Sequence, residues 1–299
     1  MIKKYKIKTS NIYFISNDAK LGDNYDTWTE KYNIPKINII TLNRYLEEAK
    51  PWVRDIDKFP IEDFKVDSVR EKKFTCLNGA FREHRLILVS ELFRSGLEND
   101  GYISYIVNTG YNNQPPIESE IDNVDKDLLK YYMDIIVPKI PLTTELEKGM
   151  ELIEPYISTS YVHEMYTNSY FNIVTETSYN WNSTSIIDNN IYLTEKTYRP
   201  IFGMQPFIMV SNPGVLKHLK DMGFKTFPEF FDESYDEIEN PTERMYIIIN
   251  EIKRICSLSL EELHDRYYNI LDKLEYNRNR LIEIHDGEIA YGDYLDVFE

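Results

Sequence analysis

From residue 72 onward the sequence alternates apolar runs of strand length with segments of helical period, and this alternation constrains the fold more than any other feature. Lys72 to Leu77 (KKFTCL) reads as a buried strand and Asn78-Gly79-Ala80 as a turn. Phe81 to Leu97 reads as a helix with Leu86, Val89, Leu92 and Phe93 on one face. Tyr102 to Val107 reads as the returning strand, so residues 72–107 have the make-up of a βαβ unit. A second unit follows, with a strand over Tyr170 to Thr175, a helix over Thr194 to Gly203 and a strand over Gln205 to Val210. The expected fold is α/β, with a Rossmann-type parallel sheet and helical crossovers.

Outside these units the pattern is plainer. Asn11 to Ser16 and Ile37 to Thr41 read as strands, followed by a helix through Tyr45 to Ala49 that Pro51 would end. Residues 110–165 open on an Asn-Asn-Gln-Pro-Pro turn and continue acidic and helical, as an insertion. Val215 to Met222 and Pro241 to Cys256 read as helices, and Leu258 to Ile284 as one long charged helical tail capped by Ser257 or Ser259. With 299 residues, the length favours about two domains. They are expected as a small amino-terminal α/β region over 1–70 and a larger α/β domain over 71–299, which carries the insertion and the carboxyl-terminal helices.

Charge and composition limit the function classes. The chain is 42% hydrophobic and 14% aromatic, which is too apolar for a disordered protein. A formal charge of -16 disfavours a broad grip on nucleic acid or an anionic membrane, leaving a local basic pocket as the place for an anion. Cys76 and Cys256 lie far apart and lack metal-ligand spacing, and they read as reduced core residues. No apolar run approaches a membrane span and no signal peptide is read at the start, so a soluble cytoplasmic protein is expected.

In open α/β sheets the ligand sits beyond the carboxyl ends of the strands. Both βαβ units place unusual residues there. After the first strand comes Asn78-Gly79-Ala80-Phe81-Arg82-Glu83-His84-Arg85, which sets cations in the first turns of a helix. A helix start already attracts anions, so extra cations there are unfavourable unless something negative arrives, and phosphate is the natural guest. The plainer alternative pairs Arg82 and Arg85 with acids on a solvated face. After the second strand comes Thr194-Glu195-Lys196, with Thr194 as N-cap. There the Glu195 carboxylate could accept two ribose hydroxyls and the Lys196 ammonium could meet a phosphate oxygen. The plainer alternative is an i,i+4 pair between Glu195 and Arg199, worth about 0.2–0.5 kcal/mol when exposed. Glu176, just past the preceding strand, is a further candidate. His163, His218, His264 and His285 have no ligand-like spacing, and Asp55-Ile56-Asp57 resembles a metal-binding acid pair only superficially.

Taken together, Tyr192-Leu193-Thr194-Glu195-Lys196 and Gly203-Met204-Gln205-Pro206, following the strand that ends at Thr175-Glu176, resemble the donor-binding half of the α1,3-fucosyltransferase family. Phe74 to Asn78 with Arg85 is similar to that family's upstream strand, turn and helix arginine. The resemblance covers about residues 72–108 and 170–214. It implies a GT-B-like glycosyltransferase in which Arg85 and Lys196 neutralise the donor diphosphate, Glu195 holds the ribose and Tyr192 lines the nucleotide pocket. Asn78, Arg82 and Glu176 complete the expected donor site. No metal or cofactor is implied; the expected partners are a nucleotide-sugar donor and a hydroxyl acceptor on a glycan or similar molecule.

The family's catalytic base comes from the amino-terminal side and does not align here, which leaves Asp23, Asp26, Asp55 and Asp57 unranked. Pro200 falls inside the expected helix and should shorten or kink it. Two other readings stand beside the first: transfer to a hydroxylated base in DNA, as some virus-encoded transferases perform, and an inactive nucleotide- or glycan-binding module of the same fold.

Overall fold

In a computed structural model, which describes residues 8–41, 46, 49–107, 124–147, 163–181 and 190–288, the apolar runs form two parallel sheets. The larger contains β3 (Lys72–Asn78), β4 (Gly101–Tyr105), β5 (Ser169–Thr175) and β6 (Phe207–Val210), in the order β4-β3-β5-β6. Every residue of β4, β5 and β6 is buried, as expected for a parallel sheet covered on both faces. The smaller sheet pairs β1 (Tyr13–Ser16) with β2 (Asn38–Thr41). A mixed α/β architecture on parallel sheets is therefore borne out.

The strand order fixes where a site can form. The chain lays β4 on one side of β3, then returns to place β5 on the other side and β6 beyond it. The order reverses between β3 and β5, and the crevice beyond their carboxyl ends is the switch point of the sheet. The Lys72↔Ser169 and Thr75↔Asn172 register brings those ends level. The Thr175 hydroxyl donates to Asn78 Oδ1 across them at 2.6 Å.

Several element boundaries differ from expectation. A helix α1 (Leu21–Tyr32), not anticipated, links β1 to β2; only Thr29 of it is buried, so it carries almost no apolar stripe to read. Pro51 begins a helix rather than ending one: α2 (Lys50–Arg54) carries it in its first turn, where a missing N–H costs nothing. Of the helix expected over Tyr45 to Ala49, only Leu46 and Ala49 are among the described residues. Helix α3 (Glu83–Arg94) starts later and stops earlier than its apolar pattern suggests. Of the insertion, α4 (Lys126–Tyr131), a π-helical turn over Tyr132–Ile136 and α5 (His163–Thr167) are described, while 108–123 and 148–162 lie outside the described residues.

On the carboxyl side, α6 (Glu195–Phe202) is capped by Thr194 as expected, and α7 (Val215–Asp221) and α8 (Pro241–Cys256) follow. The expected single tail is two helices, α9 (Leu260–Tyr268) and α10 (Leu271–Glu288). Ser259 and Glu262 form a reciprocal capping box at the start of α9. Buried Leu263, Tyr267, Ile270 and Leu274 continue one helical period across the break, which is why periodicity alone does not reveal it.

Candidate anion-binding crevice

At the switch point, β3 is followed by α3 and β5 by α6. Arg85 sits in the first turns of α3 and is 2% exposed. Its Nη1 donates to the Ala80 carbonyl at 2.8 Å, and its Nη2 to the carbonyls of Thr175 and Glu176 at 3.0 and 3.3 Å. Its buried Nε has no hydrogen-bond partner. Burial and the neighbouring Arg82 lower its pKa to about 10, so it remains a cation at neutral pH. A buried guanidinium with an unspent donor is the kind of group an arriving phosphate oxygen satisfies.

Opposite stands the start of α6. Lys196 Nζ lies 2.8 Å from Glu195 Oε1 and 3.1 Å from Thr194 Oγ1. Burial pushes the Glu195 carboxyl up, but Lys196 and Arg199 outweigh it and hold the group below its ordinary value. Glu195 is thus a buried carboxylate kept ionised by cations on its own helix. Behind this turn a cavity of about 10 Å³, room for one water, is lined by Thr175, Tyr166, Lys196 and Arg199.

Glu176 joins the two halves. Its carboxylate accepts from Thr194 N (2.9 Å), Thr194 Oγ1 (2.7 Å), Thr197 Oγ1 (2.6 Å) and Thr177 N (3.2 Å), and the residue is fully buried. Four donors fill a carboxylate's lone pairs, so Glu176 positions α6 and has no capacity left for a ligand. Its main-chain carbonyl meanwhile takes Arg85 Nη2 and His84 Nε2. Because a carbonyl only accepts, the His84 proton is on Nε2; burial, with Arg85 nearby, keeps the ring well below its usual pKa and neutral. His84 is therefore not one of the cations of the crevice, and it stacks at 5.4 Å on Tyr179.

Asn78 has a similar internal task. Its amide donates to the Ser104 carbonyl at 3.2 Å and accepts from Thr175, tying the ends of β3, β4 and β5 together. Arg82 is exposed at the N-cap of α3, bonded to the adjacent Phe81 carbonyl. Of the expected donor residues, the structure brings Arg85, Glu195 and Lys196 around Glu176 and places Asn78 beneath them. Residues 182–189, between β5 and α6, lie outside the described residues.

Tyr192 stands at a seam that sequence reasoning missed. The loop after β1 packs on the loops before α6 and after β6: Asp18 Oδ1 accepts from Ile191 N at 3.0 Å, Ala19 N donates to Ile191 O at 3.0 Å, and Lys20 Nζ donates to Pro213 O at 3.2 Å. Burial and the Asp18 carboxylate raise the Tyr192 pKa. The carboxyl end of β1 therefore faces the carboxyl ends of the larger sheet. The signal available in the sequence was Asp18 just past a strand end, the same placement that drew notice to Glu176.

The expected catalytic aspartates lie elsewhere on the surface. Asp26 pairs with Lys36 at 2.9 Å, and Asp55 pairs with Lys58 and Arg54 at 2.8 and 3.1 Å. Asp23, in the first turn of α1, and Asp57 are exposed and have no ion pair among the described residues. Among those residues, no group of three or more His, Cys, Asp and Glu side chains could hold a metal, and no helix is long and apolar enough to cross a membrane.

Fold and site together give a mixed α/β protein, consistent with a Rossmann-like fold, in which Arg85, Glu176, Glu195 and Lys196 gather at the switch point of the sheet. No known protein family, curated protein or solved structure matches the chain.

Proposed function

We propose that the protein is a glycosyltransferase that moves a sugar from a nucleoside diphosphate donor to an acceptor hydroxyl on a glycan or similar molecule. The observation that carries this reading is that Arg85 and Lys196, each in the first turns of a helix, are tied to the same residue at the switch point: Arg85 bonds the Glu176 carbonyl, and the Lys196 turn is held on the Glu176 carboxylate through Thr194. A diphosphate offers two phosphoryl groups for two cations. The resemblance to α1,3-fucosyltransferases gives the same assignment to the same two residues, with Glu195 on the ribose and Tyr192 beside the base. A GT-B-like arrangement is supported by the seam, which turns the small sheet's carboxyl end toward the crevice.

The chemistry follows from charge. As the bond from the anomeric carbon to the diphosphate oxygen breaks, its electron pair leaves with the diphosphate, and fixed cations that tighten on that charge lower the barrier. The acceptor oxygen forms the new bond to the anomeric carbon and gives up its proton to a base. This reading asks for no metal, since Arg85 and Lys196 meet the leaving charge.

Calorimetry of the full chain with guanosine and uridine diphosphate tests it. One of the two should bind, and Lys196→Ala should weaken binding by about 10- to 100-fold, the loss of a charge-assisted hydrogen bond, with an unchanged circular dichroism spectrum. Failure of both nucleotides to bind the intact protein would end the reading.

A second reading, an inactive nucleotide- or glycan-binding module, is favoured by one observation: Asp26 and Asp55 are committed to ion pairs. Sugar transfer or donor hydrolysis with a mixed pool of nucleotide sugars rules it out.

A further inference from the structure

Six of the ten large hydrophobic side chains that stand exposed among the described residues lie within residues 13–34, so the small amino-terminal region carries apolar surface that the larger sheet does not. Helix α1 supplies the ordered part of it. Tyr25, Trp28 and Tyr32 recur at helical spacing along one side, with Trp28 38% and Tyr32 56% exposed. The Tyr25 and Trp28 rings lie 6.2 Å apart and 28° from parallel, and the Trp28 and Tyr32 rings 5.7 Å apart. Tyr25 is tied down by its hydroxyl, which accepts from Ile37 N at 3.0 Å, just before β2. The rings thus form one aromatic stripe rather than three separate side chains.

The same helix carries Asp23, Asp26 and Glu30 against Lys31 alone. Asp26 and Glu30 share Lys36, at 2.9 and 3.4 Å, yet remain 60% and 73% exposed, which leaves carboxylate oxygens open to a hydroxyl. These charges select the guest. Nucleic acid and anionic lipid are repelled by the carboxylates and by the chain's formal charge of -16. A second copy meeting the same stripe across a two-fold axis would set three carboxylates against the same three. A neutral sugar meets neither obstacle: its C–H face lies on an aromatic ring and its hydroxyls donate to carboxylates.

Position favours the same guest. Lys20, at the N-cap of α1, donates to the Pro213 carbonyl at the seam. At the rise of a helix, the three rings stand about 8 to 18 Å along α1 from that residue. We propose that the aromatic stripe of α1 binds a neutral glycan chain, which lies along the helix with one end toward the seam. That this glycan is the acceptor of the transfer rests on the transferase reading; its binding to the stripe does not.

Calorimetry of the full chain, without nucleotide, against glucose, galactose, mannose and N-acetylglucosamine oligosaccharides of one to six units tests the proposal. At least one hexasaccharide should bind, about tenfold tighter than its disaccharide, because the longer chain spans more of the rings. Trp28→Ala and Tyr32→Ala should each weaken it about tenfold with an unchanged circular dichroism spectrum. Tyr246→Ala, which removes a 67% exposed ring on α8, and Lys196→Ala should leave it unchanged. The proposal is overturned if no oligosaccharide binds, if affinity does not rise with chain length, if both stripe variants bind like the wild type, or if ultracentrifugation shows a dimer that Trp28→Ala dissolves. Glycan binding without nucleotide binding ends the transferase reading and leaves the stripe standing; nucleotide binding without glycan binding does the reverse.

Discussion

Glu176 shows how one side chain can decide a site without touching its ligand. Its carboxylate takes four donors, three of them at the start of α6, so Glu176→Gln turns an acceptor into an amide that faces donors. The expected loss is about 2 kcal/mol or more of unfolding free energy, measured by urea denaturation, together with weaker nucleotide binding because Lys196 loses its placement. Glu195 answers differently to pH. Its folded-state pKa lies below the ordinary 4.5, so it contributes stability above that value and loses it as pH falls through the folded-state pKa. Glu195→Gln should therefore be destabilising at neutral pH, with the difference from wild type vanishing in acid; a difference that grew on acidification would contradict the sign of the shift.

At the scale of elements, Gly203 ends α6, and a Cβ there would lie 2.5 Å from the Tyr166 ring, so this glycine is required by close approach. Its φ of -79° is open to any residue, which leaves the clash as the sole cost of a methyl. Gly203→Ala should lose about 1–3 kcal/mol in urea midpoint comparisons, whereas Gly79→Ala, with nothing near its Cβ, should stay within about 0.5 kcal/mol. Pro200 lies inside the same helix, which runs on to Phe202 between its caps Thr194 and Gly203, so it fills the expected span and Pro200 does not end it. Strands β3 and β5 and helix α8 were legible because burial imposes an apolar pattern on them. Helix α1 was not, since Thr29 is its single buried residue, and neither was the break at Asn269, across which the apolar period runs unshifted. Within the crevice, Thr194 as a cap could be read locally. The bonds from Glu176 to Thr194 and Thr197 span 18 and 21 residues, and no local pattern encodes them.

Across the whole molecule, Tyr166 touches both ends of the larger sheet. Its carbonyl accepts from Arg70, just before β3, while its side chain crowds Gly203 at the end of α6 and the residue lines the small cavity behind Lys196 and Arg199. One ring therefore underlies α6 from the cavity behind Lys196 to the glycine at its end. Tyr166→Ala should cost about 3–5 kcal/mol of unfolding free energy in urea denaturation and weaken nucleotide binding through Lys196. The grip on a leaving group is then only as firm as the aromatic floor that α6 rests on.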